Sequence, residues 1–190
     1  MANHRLVIVM LTLSLLTACS AMWVVETSDP SKKLADARDL LWHQDRPIPA
    51  ERLIKEALAI FEKRGDDLGI ARANAAYAEF LRSAVLDRHT HRYPDQLGRT
   101  RSAIGYYEKA VPVFKAHEAH PELTNTLVYL GMLYESQGEK DAACKSFSES
   151  LTSWQKHTSV NPGARMNRLG EFNSFEEAIA FFKKRATCEQ

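Results

Sequence analysis

The sequence has no excess of charge of one sign and no hydrophobic run long enough to cross a membrane. It contains 25 basic and 24 acidic side chains in 190 residues. This balance gives no general attraction for a phosphate backbone, so we expect no nucleic-acid partner. The apolar stretch at residues 6–16 would form a helix of roughly 16 Å, whereas the hydrocarbon core of a bilayer is roughly 30 Å thick.

Motifs that carry catalysis are also missing. The sequence contains no glycine-rich phosphate loop, no Gly-x-Ser-x-Gly turn, no His-Glu-x-x-His and no Cys-x-x-Cys. We therefore expect neither an enzyme nor a bound cofactor. Sustained alternation of apolar and polar residues is absent as well, so the sequence predicts no β-strand.

Cysteine is scarce, and the first of the three cysteines follows the short apolar stretch. The segment Leu16-Thr17-Ala18-Cys19 resembles the lipobox of bacterial lipoproteins. The resemblance implies that residues 1–18 are a signal peptide, that Cys19 carries the lipid and that residues 19–29 form a tether. In that family a serine such as Ser20 accompanies transport to the outer membrane, so we expect a lipid anchor there, facing the periplasm. The alternative is an ordinary signal peptide with an incidental cysteine.

Two cysteines remain once Cys19 is acylated. An even number of thiols in an oxidising compartment predicts a disulfide, here between Cys144 and Cys188. The alternative is that Cys144 is a small core residue and Cys188 a free thiol near the end of the sequence.

Apolar and small residues recur three and four positions apart from residue 30 onwards, which predicts helices. Asp29 before Pro30 is typical of a helix start, and Ser174 with Glu177 fits a capping box. Pro112 predicts a kink or an early end of the fourth helix. The predicted helices are 31–43, 50–64, 68–86, 100–117, 122–137, 140–157 and 175–185, with an insertion at about 84–99.

A repeated pattern relates these helices to one another. Leu127-x2-Leu130-Gly131-x2-Tyr134 is followed by Ala143-x3-Phe147-x2-Ser150-Leu151, and Ala50-x3-Ile54-x2-Ala57-Leu58 matches the second motif. The pattern resembles the tetratricopeptide repeat, in the longer-helix variant found in kinesin light chains. The resemblance implies an all-α solenoid of three antiparallel helix pairs over residues 30–157. Residues 158–190 would add a loop and a C-terminal capping helix.

In tetratricopeptide proteins the first helix of each pair lines a concave groove that binds another protein. Carried over by register, the groove would hold Arg72, Glu79, Arg82, Asn125, Val128, Met132 and Glu135. The insertion adds Arg88, Arg92 and Tyr93, residue types that are common at protein interfaces. His89 and His91 lack a defined set of further ligands, so we expect surface histidines and no metal site.

These resemblances predict a membrane-anchored periplasmic scaffold that binds another protein and assembles or regulates an envelope complex. Two alternatives stay open. One is an immunity protein that neutralises a toxin delivered to the periplasm, such as a type VI secretion effector. The other is a lipoprotein that binds a metal or small ligand through His89 and His91.

Overall fold

The computed structural model describes residues 27–165 and 172–188, and this part of the chain is helical without strands. The predicted signal peptide, Cys19 and most of the tether lie outside the described residues. No helix in the described ranges is long and apolar enough to cross a bilayer. The described residues form seven α-helices, which are α1 Pro30–Trp42, α2 Pro47–Arg64, α3 Asp67–Leu81, α4 Gln96–Ala116, α5 His120–Ser136, α6 Lys140–Val160 and α7 Phe175–Arg185, with a short 3-10 helix at Leu86–His89.

Local capping sets several helix ends. Asp29 accepts a hydrogen bond from the backbone N–H of Ser31 at 2.9 Å, and Pro30 is the first residue of α1. Ser174 accepts from the backbone N–H of Glu177 at 3.0 Å at the start of α7. Side-chain oxygens at these positions satisfy amides that have no partner inside the helix.

Consecutive helices pack as the pairs α1/α2, α3/α4 and α5/α6, and α7 packs on the last pair. The all-α, solenoid-like fold predicted from the sequence is therefore confirmed. Gly131 lets α5 and α6 approach closely, since a Cβ there would lie 2.6 Å from the ring of Phe147. Large side chains such as Phe80 and Phe114 are fully buried between the helices.

The third helix is shorter than predicted, and this moves the insertion. It ends at Leu81, because the side chain of Ser83 accepts from the backbone N–H of Val85 at 3.1 Å and tight turns follow. Val85 and Leu86 are buried, so the apolar pattern continues past the true helix end. The connection therefore spans residues 82–95 rather than 84–99, since α4 already begins at Gln96.

Pro112 does not end α4, which continues to Ala116, so the expected early end is wrong. Proline removes one amide, and this leaves the carbonyl of residue 108 without its usual partner. Both Pro112 and Glu108 are exposed, and water can therefore bond that carbonyl. Phe114 points into the core and is fully buried.

The C-terminal helix covers the end of the third pair. Its apolar face consists of Phe175, Ile179 and Phe182, which are 2%, 1% and 4% exposed. The predicted disulfide between Cys144 and Cys188 is present and joins this end of the chain to α6, with the two Cα atoms 5.6 Å apart.

Candidate functional site

A groove of about 390 Å³ lies between α1, α3 and α5, the first helices of the three pairs. Three of the predicted site residues, Arg72, Glu79 and Asn125, line it. The complete lining comprises Ser31, Leu34, Ala35, Arg38, Arg72, Ala75, Ala76, Glu79, Tyr107, Phe114, Glu122, Asn125, Thr126 and Tyr129.

Small apolar side chains on α3 leave the space that forms the groove. Arg72, Ala75, Ala76 and Glu79 recur at intervals of three and four residues, which places them on one face of the helix. The two alanines are half-buried and carry only methyl groups. The face is therefore apolar in its middle and charged at both ends.

Two ion pairs cross the groove walls. Arg38 of α1 pairs with Glu79 of α3 at 3.2 Å, and Arg72 of α3 pairs with Glu122 of α5 at 2.7 Å. Exposed pairs of this kind contribute little to stability, but they orient the side chains at the rim. Asn125 lies one turn after Glu122, and its amide makes no hydrogen bond within the described ranges.

Arg82 lies behind the groove lining rather than in it, which corrects its predicted position. Its Nε donates to the hydroxyl of Tyr107 at 3.1 Å, and its guanidinium carbon stands 3.6 Å from the ring centroid of Tyr129. Both tyrosines line the groove, and neither was predicted as a site residue. The spacing of Tyr129 four residues after Asn125 is the signal that could have identified it.

Three residues predicted for the groove contact the C-terminal helix instead. Val128 is 1% exposed and packs in the same cluster as Phe175, with Met132 beside it. Glu135 accepts two hydrogen bonds from Arg185 of α7. The predicted groove stripe of the last pair is wrong at these positions, because a capping helix occupies the face that would otherwise continue the groove.

The insertion is fastened to the first helix pair and contributes no residue to the groove lining. Arg88 pairs with Asp45, in the turn between α1 and α2, at 2.8 Å. The ring of Tyr93 packs edge-on against Phe80, with centroids 5.6 Å apart. Arg88 and Tyr93 therefore have structural contacts, which the sequence did not predict, while Arg92 is exposed.

Glu51 of α2 is the centre of this attachment. Its carboxylate accepts hydrogen bonds from Tyr93 at 2.9 Å, Tyr77 at 3.0 Å and Lys55 at 2.6 Å. Burial alone would raise the pKa of Glu51, but hydrogen bonds from Lys55, Tyr93 and Tyr77 hold it below its usual range. Burial and the hydrogen bond to Glu51 raise the pKa of both tyrosines, so their hydroxyls remain donors.

His89 and His91 stand side by side in the insertion, with ring centroids 6.3 Å apart. The Nε2 atom of His89 faces the carboxylate of Asp45 at 3.5 Å. Over residues 27–165 and 172–188, no group of three or more His, Cys, Asp or Glu side chains is placed to hold a metal ion. His89 thus belongs to the contact between the insertion and the α1/α2 turn, whereas His91 is exposed.

A second cavity, of about 330 Å³, lies between α4, α5 and α6. Part of its polar lining is already paired: Lys115 contacts Glu149 at 2.6 Å, and Ser153 donates to the backbone carbonyl of His120 at 3.1 Å. The groove is larger and combines an apolar middle with charged rims, so it is the stronger candidate for a binding site.

Comparison with known proteins assigns no family to the chain. No family model matches it, and neither curated protein sequences nor solved structures gave a match. The geometry of the groove is therefore the main guide to function.

Proposed function

We propose that the protein is a membrane-anchored periplasmic scaffold that binds a segment of another protein in the groove between α1, α3 and α5. The groove itself carries the proposal. Its volume of about 390 Å³ is within the range of roughly 300–1,000 Å³ that is usual for ligand sites. It accommodates a few side chains of an extended peptide.

The chemistry of the lining favours a peptide segment. Ala75 and Ala76 offer apolar contact area, while the Asn125 amide supplies both a donor and an acceptor for a peptide backbone. The ion pairs at the rims add charged groups that select among side chains. The resemblance of the helix pairs to tetratricopeptide repeats supports the same role, because that family binds peptides on its first helices.

The membrane anchor rests on the sequence around Cys19. A diacylglycerol on Cys19 together with an N-acyl chain exceeds the two lipid signals needed for stable anchoring. A scaffold held there would assemble or regulate an envelope complex by binding one of its subunits. The test is incorporation of labelled palmitate, which we expect to be abolished by Cys19→Ala and kept by Cys188→Ala.

Two matched alanine variants test the groove. Ala35 lines the groove on α1, whereas Ala59 lies on α2, and both are exposed. We expect Ala35→Trp to fill the groove and abolish capture of the partner from envelope extract. Ala59→Trp should capture it as the original chain does, and neither change should lower the melting temperature by more than a few degrees.

The outcome is read by quantitative mass spectrometry of the captured proteins. If the same proteins are captured by both variants in equal amounts, the binding surface does not lie in this groove.

A further inference from the structure

Trp42 is an exposed tryptophan at one end of the groove. Its side chain is 41% exposed, although tryptophan usually buries most of its surface. On α1 it follows the lining residues Ser31, Ala35 and Arg38 at successive intervals of four, three and four positions. Residues at these intervals lie on one face of a helix. The face of α1 that lines the groove therefore continues to Trp42.

A small cleft joins Trp42 to the groove. The cleft is lined by Trp42 and shares with the groove the residues Leu34, Arg38, Ala76 and Glu79. Its volume is about 10 Å³, which is room for one water molecule at most. A ligand side chain cannot enter this space, so a bound segment would contact the exposed surface of the indole.

The groove and Trp42 offer apolar surface on both sides of one ion pair. The Arg38–Glu79 pair lies between the alanines of the groove and the indole, because Arg38 is placed between Ala35 and Trp42 on the same face of α1. Tryptophan is enriched among the residues that contribute most to protein binding. A ligand that uses both apolar surfaces needs two apolar side chains.

The distance between the two apolar surfaces limits the conformation of that ligand. Ala35 and Trp42 are seven positions apart, which is about 10.5 Å along a helix. A polyproline II chain advances about 9.3 Å in three residues and completes one turn, so side chains three positions apart point to the same side. Side chains on one side of a β-strand are roughly 7 or 14 Å apart, and neither value fits.

An α-helical ligand is too large for this groove. A helix is about 10–12 Å across, so a segment 10.5 Å long occupies at least roughly 800 Å³. The groove has a volume of about 390 Å³.

We propose that the partner segment binds in a polyproline II conformation, with one apolar side chain against the alanines of the groove and a second, three positions away, on the indole of Trp42. Proline-rich segments favour this conformation and bind in grooves lined by aromatic residues, because they lose little conformational entropy on binding. The inference rests on the proposed function of the groove and names the chemistry and conformation of its ligand.

Selection from a library of random nine-residue peptides displayed on phage tests the inference. The original chain, Ala35→Trp, Trp42→Ala and Leu97→Ala are used as baits. Leu97 is 61% exposed at the start of α4 and does not line the groove, so its replacement controls for the loss of an exposed apolar side chain.

We expect the original chain and Leu97→Ala to select peptides with two apolar residues three positions apart, enriched in proline. Trp42→Ala should select only one of the two apolar positions. A peptide selected by the original chain should bind Trp42→Ala about tenfold more weakly or worse by fluorescence anisotropy. Replacing the second apolar residue of that peptide by serine should weaken binding to the original chain equally and leave binding to Trp42→Ala unchanged.

Four results would overturn the inference. A single apolar position among the peptides selected by the original chain refutes the role of Trp42 and leaves the groove intact. Apolar residues two, four or seven positions apart refute the polyproline II conformation. A second apolar position that persists with Trp42→Ala places its contact elsewhere. No enrichment above Ala35→Trp refutes the groove and the inference together.

Circular dichroism establishes that each bait is folded, and a measurement on the original chain decides the matter if Trp42→Ala is not. The chain is labelled with 5-fluorotryptophan, and the fluorine resonance of Trp42 is assigned by comparison with Trp42→Phe. Saturation with a selected peptide should shift this resonance and leave that of Trp154, on α6, in place. An unshifted Trp42 resonance would refute the contact.

Discussion

The hydroxyl of Tyr93 donates a hydrogen bond to the carboxylate of Glu51, 42 positions earlier in the chain, at 2.9 Å. Tyr77 of α3 donates to the same carboxylate. One acidic side chain on α2 thus holds both the second helix pair and the insertion against the first pair. Together with the Arg88–Asp45 ion pair and the packing of Tyr93 on Phe80, this residue makes a long surface connection part of the packed structure.

Removing the Tyr93 hydroxyl should loosen the insertion. We expect Tyr93→Phe to lower the free energy of unfolding by about 1–2 kcal/mol, because a hydrogen bond to a charged acceptor is lost. Tyr106→Phe is the matched control, since no hydrogen bond of its hydroxyl occurs in the described ranges. Urea unfolding measures both, and equal effects would show that the hydroxyl of Tyr93 does not fasten the insertion.

The Glu51 carboxylate also predicts that the stability of the fold depends on pH. The pKa of Glu51 is lowered in the folded protein, so the ionised carboxylate stabilises the fold above the unfolded value of 4.5, and this contribution is lost as the pH falls below it. Glu51→Gln should therefore destabilise the protein at pH 7 and make less difference at pH 3.5. Glu62→Gln, an exposed change on the same helix, should give the same small difference at both values.

Loss of the disulfide should destabilise the C-terminal part of the fold. Cys144 and Cys188 are 44 positions apart, and closing a loop of that length stabilises by roughly 3–4 kcal/mol in the chain-entropy model. We expect Cys188→Ser to lower the melting temperature in the absence of reductant. Dithiothreitol should bring the original chain to the same value, and a melting temperature that reductant leaves unchanged would contradict this role.

Two adjacent phenylalanines on α7 differ in burial, so replacing each of them by alanine tests which face of the helix packs against the third pair. Phe182 is 4% exposed, whereas Phe181 is 47% exposed. Phe182→Ala should cost about 3–5 kcal/mol through the cavity it leaves, and Phe181→Ala less than about 1 kcal/mol. Similar losses in thermal unfolding would mean that α7 does not cap the third pair with this face.

Replacing two glycines by alanine should change the stability in opposite directions. A methyl group at Gly131 would lie 2.6 Å from the Phe147 ring, whereas one at Gly105 meets nothing within 4 Å. We expect Gly131→Ala to destabilise by about 1–3 kcal/mol and Gly105→Ala to stabilise by about 0.5–1 kcal/mol. In thermal unfolding, the melting temperature should therefore fall for Gly131→Ala and rise for Gly105→Ala.

The helices and their order were predictable because the determinants are local. The spacing of apolar residues predicted seven helices, and Asp29 and Ser174 cap α1 and α7 as their positions indicated. The end of α3 was missed, because burial of Val85 and Leu86 continues the helical pattern beyond Leu81.

The candidate site was predicted only in part. The prediction that Arg72, Glu79 and Asn125 line the groove was correct, because the spacing of residues is enough to place them on one face of a helix. Val128 and Glu135 share that spacing on α5, yet α7 covers them. Which part of a helix face remains open depends on a helix about 50 positions later, and no local pattern reports this.

The contacts in this fold join helices that are close in the sequence, and this affects the order in which parts of the chain fold. Even the distant ion pairs Arg72–Glu122 and Arg185–Glu135 join residues only 50 positions apart. Each helix pair can therefore form as soon as its own stretch of chain is free, beginning from the N-terminal side. Cys188 follows all three helix pairs in the sequence, so we expect its bond to Cys144 to form after they have packed. We therefore expect reduction of this bond to loosen α7 before it affects the three helix pairs.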